Sequence, residues 1–173
     1  VIRNNIGAET RLSYRSSTQF YLEDLIRNRP WLTRLPFPVH LVSVVEILDQ
    51  VSGNRFSSHY SYHHGFYDGI EREFRGFGLV EQRDTERIAA LQNGPGSDDK
   101  DDEQSSYVPP TLTKTWYHHG AWRRDQSLVA AFRSEYWTGD SMAPLLDDTI
   151  IPPELSVDEE REACRALRGR VLR

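Results

Sequence analysis

The segment from Tyr62 to Gly78, YHHGFYDGIEREFRGFG, holds the residues of this sequence that are best suited to chemistry. Its two adjacent histidines are potential metal ligands, and two glutamates one residue apart are potential acid and base groups of a hydrolase. Glycines and aromatic rings surround them, as in a tightly turned and densely packed hairpin. The segment is therefore either a reactive site or a structural unit.

The spacing of the histidines argues against a metal site within one strand. His63 and His64 are neighbours, as are His118 and His119, so in an extended strand each pair points to opposite faces. His59 and His63 share a face but lie about 13 Å apart at ~3.3 Å per residue. The main interpretation is half-buried histidines that form hydrogen bonds across a sheet, and no metal or cofactor is predicted. A site assembled across strands, for instance from His63 and His118, remains an alternative.

Glu71 and Glu73 are the best candidates for a catalytic pair. On one strand face their Cα atoms lie about 6.6 Å apart, which overlaps the carboxyl separations of glycosidases. Arg75 continues the same face and Arg72 lies between the two acids, and alternating charges are typical of a cross-strand charge ladder. A glycoside hydrolase therefore stays an alternative, and it requires both carboxyls in an open cleft without arginine partners.

Other kinds of site have weaker support. The single cysteine, Cys164, falls on the apolar side of an amphipathic helix, where a buried and inert thiol is expected. Eight tyrosines and four tryptophans allow a glycan-binding β module, with Trp116 and Trp122 as the residues to test. Aromatic residues at period two more often cover a sheet face. No catalytic residue is predicted.

Composition and charge divide the 173 residues into two ordered parts. Residues 92–106, QNGPGSDDKDDEQSS, have no large apolar side chain and are predicted to form a disordered acidic loop. The net charge of −5 arises mostly there, so neither nucleic-acid binding nor direct membrane contact is predicted. Residues 1–91 are predicted to be strand-rich with a central hairpin at 39–81. Residues 107–173 are predicted to hold a strand and two helices and to lead into a further strand.

The strand pattern predicts an antiparallel, twisted, multi-stranded sheet with a few short peripheral helices. Strands are expected at 9–15, 39–49, 55–64, 70–84 and 110–120. A turn at 65–69 would be set by Gly65, Asp68 and Gly69. In the third strand of the hairpin the apolar residues change face, and a bulge or bend at Gly76 and Gly78 would realign them. The residues expected to pack the two faces are Phe56, Tyr60, Tyr62, Phe74 and Phe77.

Three helices are indicated by capping residues. One starts after Ser16 or Ser17 and is stopped by Pro30, and another starts at Asp125 and is stopped by Gly139. The third has a capping box, Ser156 with Glu159, and is the best marked of the three.

The central sequence resembles a known family. The run LPFPVHLVSVVEILDQVSGNRFSSHYSYHHGFYDGIEREFRGFGLVEQRDTE is similar to the middle region of the B component of bacterial insecticidal toxin complexes (Tc toxins), which are related to Rhs/YD-repeat proteins. The segments SSTQFYLEDLIRNRPWLTRLPFP, PPTLTKTWYHHGAW and LSVDEEREACRALRGRVLR extend the resemblance over nearly the whole chain. Tyr67 and Asp68 resemble the YD dipeptide, although Glu71 stands where the repeat has glycine.

This resemblance implies a structural function. In that family the B and C components build a hollow β-sheet shell that encloses a cytotoxic polypeptide, which is delivered through the pore of the A component. The resemblance implies shell wall without catalytic residues, in a secreted toxin complex. The implied partners are flanking segments of a longer parent chain, the C component and, in the full complex, the A-component pore. The start at Val1 also suggests a segment of a longer polypeptide.

Overall fold

A computed structural model of the chain describes residues 1–87, 109–122, 128–136, 139–140, 142, 147 and 149–173. The predicted acidic loop at 92–106 and the predicted helix cap Asp125 lie outside these residues. The described chain is mainly β, as predicted, with six strands in one antiparallel sheet and a few short helices.

The strands follow one another in the sheet in the order in which they occur in the chain. They are β1 (Ile2–Arg3), β2 (Ala8–Ser16), β3 (His40–Asp49), β4 (Arg55–Asp68), β5 (Glu73–Arg87) and β6 (Thr111–Trp116), and the helices are α1 (Ser17–Ile26), α2 (Leu128–Phe132) and α3 (Val157–Ala166). Several strand bounds differ from the prediction. Strand β4 continues to Asp68, β5 is Glu73–Arg87 instead of 70–84, and β6 ends at Trp116, while the short β1 was not predicted. Contacts group the chain into two compact units, residues 1–20, 38–61 and 81–114 in the first and 21–37, 62–80 and 115–173 in the second.

In the first unit the strand register creates an apolar face. Thr10 lies opposite Ile2 and Ile47, and Ile47 lies opposite Phe56. Residues directly opposite each other project from the same face of a sheet. The next row joins Leu12, Val45 and Ser58 on that face. Ile2, Ile47 and Phe56 are exposed, and Tyr60, which was expected to pack with Phe56, is half-buried.

The other face of this unit is polar. Glu9 is buried and accepts hydrogen bonds from Arg3 at 3.0 Å and Arg11 at 2.7 Å. The hydrogen bonds from Arg11 and Arg3 hold the pKa of Glu9 below its usual value. One face of this sheet therefore carries the charged group of Glu9, Arg3 and Arg11, and the other carries Ile2, Ile47 and Phe56.

Helix α1 begins after the predicted capping residue, Ser16, but ends before the predicted position. Ser16 Oγ accepts a hydrogen bond from the Thr18 amide at 3.3 Å. The helix ends at Ile26, and Asn28 has a left-handed φ of +56° while the Arg29 amide donates to the Asp24 carbonyl at 2.8 Å. Asparagine tolerates this conformation at a helix end. The prediction that Pro30 stops the helix is therefore wrong.

The second unit is centred on a small aromatic core. Leu79, Trp116, Phe132 and Tyr136 are buried together, and Leu172 packs against them. The predicted second helix is shorter than expected, because α2 passes into a 3-10 turn at Arg133–Glu135 and Tyr136 is already extended. It therefore ends before Gly139, and both Phe132 and Tyr136 are buried.

The C-terminal part of the chain follows the prediction closely. Ser156 and Glu159 form the capping box of α3. After Gly169, whose φ is +74°, the extended residues 170–173 run beside β6. The Leu172 amide donates to the Trp116 carbonyl at 2.7 Å, and the His118 amide donates to the Arg170 carbonyl at 2.8 Å.

Candidate functional site

The turn of the β4–β5 hairpin lies closer to the C-terminus than predicted. Asp68 Oδ1 accepts hydrogen bonds from the amides of Ile70 at 2.9 Å and Glu71 at 3.2 Å, so the carboxylate organises the turn at residues 69–72. Arg72 provides its left-handed residue, with φ of +54°. The predicted turn at 65–69 is wrong, because β4 continues through Gly65 to Asp68.

The two glycines assigned to that turn have different environments. Gly65 is buried inside β4, where a Cβ atom would lie 2.8 Å from Trp31 Cζ3 and 2.9 Å from atoms of Leu35 and Phe77. Gly69 has open space around it and a φ outside the left-handed region. Gly65 is therefore required for close packing, and nothing in its surroundings requires glycine at 69.

Backbone geometry departs from an extended strand at Gly76, where φ is +93°. The rings of Phe74 and Phe77 on either side of it are 5.7 Å apart and edge to face. Phe77 also contacts Tyr62 at 5.3 Å and Trp31 at 6.1 Å between ring centroids. These rings form a continuous aromatic cluster within the second unit.

Gly78 gives room to a buried histidine. A Cβ atom at Gly78 would lie 2.5 Å from His119 Cε1 and 2.6 Å from Phe132 Cζ. His119 Nε2 donates to the His64 carbonyl, 2.6 Å away. Burial lowers the pKa of His119 to about 4, so its ring is neutral near pH 7.

His63 is joined to a buried carboxylate. Its Nδ1 lies 2.5 Å from Asp24 Oδ2, which also accepts a hydrogen bond from Trp31 Nε1 at 2.8 Å. Arg29 lies 3.5 Å from the other carboxylate oxygen. Burial alone would raise the pKa of Asp24, but the hydrogen bonds from His63 and Trp31 outweigh it, and the pKa lies below its ordinary value. Asp24 therefore stays ionised and ties α1 to β4 and to the Trp31 ring.

His64 forms a second carboxylate–histidine pair. Its Nε2 lies 2.9 Å from Glu135 Oε1, while its Nδ1 accepts the Leu32 amide hydrogen at 3.1 Å. Because Nδ1 accepts the Leu32 amide hydrogen, the N–H that faces Glu135 is on Nε2 and donates to the carboxylate. Glu135 also accepts from Trp116 Nε1 at 3.2 Å. Burial would raise the pKa of Glu135, but the hydrogen bonds from His64 and Trp116 and the electrostatic effect of the two histidines together outweigh it, and the pKa lies below its ordinary value.

The two adjacent histidines do not point to opposite faces as expected. Both are buried rather than half-buried, and their ring centroids are 6.5 Å apart. The cause is His64 itself, whose φ of +56° breaks the regular alternation of a strand. Across the described ranges, no group of three His, Cys, Asp or Glu side chains is arranged to hold a metal ion.

Both candidate catalytic glutamates have arginine partners. Arg161 lies 3.2 Å from Glu71, and Arg168 pairs with Glu73. Arg75 Nε is 3.2 Å from Glu73, and its NH2 group donates to Asp68 at 3.1 Å. The condition that the glycosidase hypothesis set, an acid pair without guanidinium neighbours, is therefore not met.

The remaining candidates for chemistry are also enclosed. Trp116 is buried in the core, and Cys164 is buried with its pKa raised by burial and by the nearby Glu160 carboxylate. Trp122 is half-buried and lines a cavity of about 690 Å³ together with Trp31, Phe66 and Arg75. Trp116 is therefore not the exposed ring that the glycan-binding hypothesis requires.

Sequence reasoning missed several residues of this network. Asp24, Trp31 and Glu135 belong to it, yet they stand far from the histidines in the chain and carry no local motif. The tryptophan and carboxylate partners of a buried histidine are identified only by the folded arrangement. The network is a set of polar contacts that shares Trp31 with the aromatic cluster.

Comparison with known proteins identifies the family of this chain. Residues 1–120 match the family described as the insecticide toxin TcdB middle/N-terminal region. The chain belongs to this family. Its membership agrees with the resemblance read from the sequence, and the mainly β fold agrees as well. No curated protein matches the sequence.

Solved structures of toxin complexes match this TcdB-family chain along most of its length. The crystal structure of TcdB2–TccC3 is 34% identical with a TM-score of 0.72, and the match covers 98% of this chain and 8% of that chain. A Tc holotoxin pore of Photorhabdus luminescens with a substitution in TccC3 is 35% identical, with the same coverage and TM-score. The TcdB2–TccC3–Cdc42 structure is 34% identical, again with the same coverage and TM-score. This chain therefore spans about a twelfth of the length of the chains that it matches.

Within the described part of the chain, no helix is long and apolar enough to cross a membrane.

Proposed function

We propose that this chain is a non-enzymatic structural segment of the B component of an insecticidal toxin complex. It forms part of the wall of a β-sheet shell that encloses a cytotoxic polypeptide and helps to deliver it. The observation that carries the proposal is the 34% identity over 98% of the chain to a chain of the TcdB2–TccC3 structure.

The geometry of the candidate site supports a structural function. Glu71 and Glu73 are held by arginines, His63 is held by the buried Asp24 carboxylate, and His64 is held by the half-buried Glu135 carboxylate. Gly65, Gly78 and the aromatic rings of the hairpin are used in packing. Such residues suit a wall that must stay closed, because satisfied polar groups and close packing both resist local opening.

The partners follow from the same matches. The C component is supported by the TcdB2–TccC3 structures, and the A-component pore by the Tc holotoxin structure. Flanking segments of the parent chain complete the sheet. The complex acts outside the bacterium, as a secreted toxin.

Protease protection of the enclosed polypeptide tests this proposal. The full-length B component is assembled with its C component, and digestion of the toxic part is followed with time. Gly78→Val should expose that part to protease, because the added side chain collides with His119 and Phe132. Gly69→Ala, placed in open space, should leave protection unchanged. Equal protection in both variants would contradict a wall function for this segment.

A turnover assay tests the enzymatic alternative. The same assembled complex is incubated with a panel of glycosides, alongside a Glu73→Gln variant. We expect no turnover in either protein, since Arg75 and Arg168 neutralise that carboxylate. Turnover by the unaltered protein that Glu73→Gln abolishes would replace the proposed function with a glycosidase.

A further inference from the structure

Strand β2 is paired along its full length on one side only. On the β3 side, all residues from Ala8 to Ser16 have partners. On the other side, β1 covers only Thr10 and Glu9. No described strand pairs with the remaining edge, from Leu12 to Tyr14.

The hydrogen-bond pattern identifies the backbone groups on this edge. The Asn4 amide donates to the Ala8 carbonyl at 3.1 Å, so Ala8 points its backbone groups toward β1. Because these groups alternate along an antiparallel strand, those of Leu12 and Tyr14 point to the same edge. The Ser13 carbonyl points the other way and accepts from Ser43 Oγ at 3.2 Å. The backbone N–H and C=O groups of Leu12 and Tyr14 thus provide two donors and two acceptors on the edge along which an extended β1 would run.

The register of β1 defines what would pair with them. Ile2 lies opposite Thr10 and Arg3 lies opposite Glu9. Each residue further toward the N-terminus in β1 therefore lies opposite the next residue toward the C-terminus in β2. The residue immediately before Val1 would therefore lie opposite Leu12, and the third residue before Val1 opposite Tyr14.

We propose that the residues immediately preceding Val1 in the full-length B component continue β1 and pair with β2 from Leu12 to Tyr14. The inference rests on the proposed function, since it requires that this chain is a segment of a longer B component, as the matched chains of about twelvefold greater length suggest. The occupant is thus an extended segment of the parent chain, added by backbone hydrogen bonds.

The exposed side chains beside this edge specify the chemistry of the added strand. The first and third residues before Val1 would project from the same face of the sheet as Ile2, Leu12 and Tyr14. They lie two and four positions before Ile2 in the same strand, and directly opposite Leu12 and Tyr14. Ile2 and Tyr14 are 60% and 59% exposed. Apolar or β-branched residues at the first and third positions would cover these side chains.

Disulfide cross-linking in the full-length protein tests this register. The second residue before Val1 lies opposite Ser13 in a non-hydrogen-bonded pair, where Cα atoms are about 4.5 Å apart and a disulfide can form. Ser13→Cys is combined with a cysteine at that position, the protein is oxidised, and linked peptides are identified by mass spectrometry. The matched control combines Ser13→Cys with a cysteine at the third residue before Val1, whose side chain points to the other face.

We expect the first pair to cross-link at least about tenfold more than the control pair, because only its Cβ atoms face each other. Equal cross-linking of both pairs, no cross-link, or a link between two copies of the chain would overturn the inference. Co-purification of each variant with the C component separates this from the proposed function. A variant that binds the C component without cross-linking disproves the added strand alone, whereas loss of that association in the unaltered protein disproves the proposed function.

Discussion

The rings of Phe74 and Phe77 meet edge to face at 5.7 Å although the two residues are three positions apart along β5. In a regular strand, residues at i and i+3 project from opposite faces. Gly76 lies between them with φ of +93°, a backbone conformation that residues other than glycine rarely adopt. This one backbone departure brings Phe74 into the cluster that Phe77 forms with Tyr62 and Trp31.

Gly76→Val should destabilise the hairpin far more than Glu73→Gln. Valine is β-branched and strained at positive φ, which should cost about 2–3 kcal/mol locally. Glu73→Gln removes partly exposed ion pairs and should cost about 1 kcal/mol or less. Local unfolding is measured by hydrogen exchange of peptides from residues 70–80 in the full-length protein. Equal protection in the two variants would show that the bend at Gly76 is dispensable.

The same substitution at Gly65 and Gly69 should have opposite outcomes. Gly65→Ala places a methyl group within 3 Å of Trp31, Leu35 and Phe77, and overpacking of this kind costs about 1–3 kcal/mol. Gly69→Ala adds a methyl group in open space at an ordinary φ, so the change should be within about 0.5 kcal/mol. Hydrogen exchange of the β4 peptide in each variant distinguishes them. A destabilising Gly69→Ala would mean that the turn depends on glycine after all.

Asp24→Asn should weaken the packing of α1 and Trp31 on β4. The buried carboxylate accepts from both His63 Nδ1 and Trp31 Nε1, and hydrogen bonds to a charged group contribute about 1.5–3 kcal/mol each. We expect a red shift of the tryptophan fluorescence, because a loosened Trp31 ring becomes more exposed to water, and faster hydrogen exchange in residues 17–31. Glu23→Gln, one residue away on the same helix, is the control. If both variants behave alike, the Asp24–His63 pair has no special part in stability.

Acid should loosen the second unit through His119. Its pKa is about 4 in the folded chain and 6.5 when unperturbed, so between these values only the unfolded state binds the proton. Above pH 6.5 this difference leaves the free energy of unfolding unchanged. As the pH falls from 6.5 to 4, it lowers the free energy of unfolding by about 3 kcal/mol in total. Asp24 and Glu135, whose pKa values are lowered, lose their own contributions at still lower pH.

His119→Gln keeps a donor for the His64 carbonyl but does not titrate. Local stability of residues 115–122, corrected for the intrinsic pH dependence of exchange, should vary less between pH 6.5 and 4 in this variant. His59→Gln, at an exposed position of β4, should keep the dependence of the unaltered protein. An unchanged slope in His119→Gln would assign the acid sensitivity to other groups.

The chain expressed by itself should self-associate or be poorly soluble. Its first unit exposes Ile2, Ile47 and Phe56 on one face and leaves the edge of β2 open from Leu12 to Tyr14. Exposed apolar faces and open strand edges both favour pairing with other chains. Light scattering and sedimentation measure this directly. A monomer that unfolds in one cooperative step would contradict it.

Local sequence was sufficient to predict five of the six described strands, the antiparallel character of the sheet and the capping box at Ser156 and Glu159. These features depend on hydrophobic period and on residues a few positions apart, so a single sequence reveals them. The family could also be recognised, because its resemblance extends over nearly the whole chain. By contrast, the turn at Asp68 was placed four residues too early, since the first of two possible glycines was taken as its start.

Only the tertiary structure decided what the hairpin residues do. Gly65 and Gly78 are required because Trp31, Phe132 and His119 approach them from distant parts of the chain. His63 and His64 find Asp24 and Glu135, which are 39 and 71 residues away in sequence. Such contacts leave no periodic trace, because a carboxylate that binds a buried histidine looks the same in sequence as one that faces water. The partners of these side chains were therefore identified only by the folded chain.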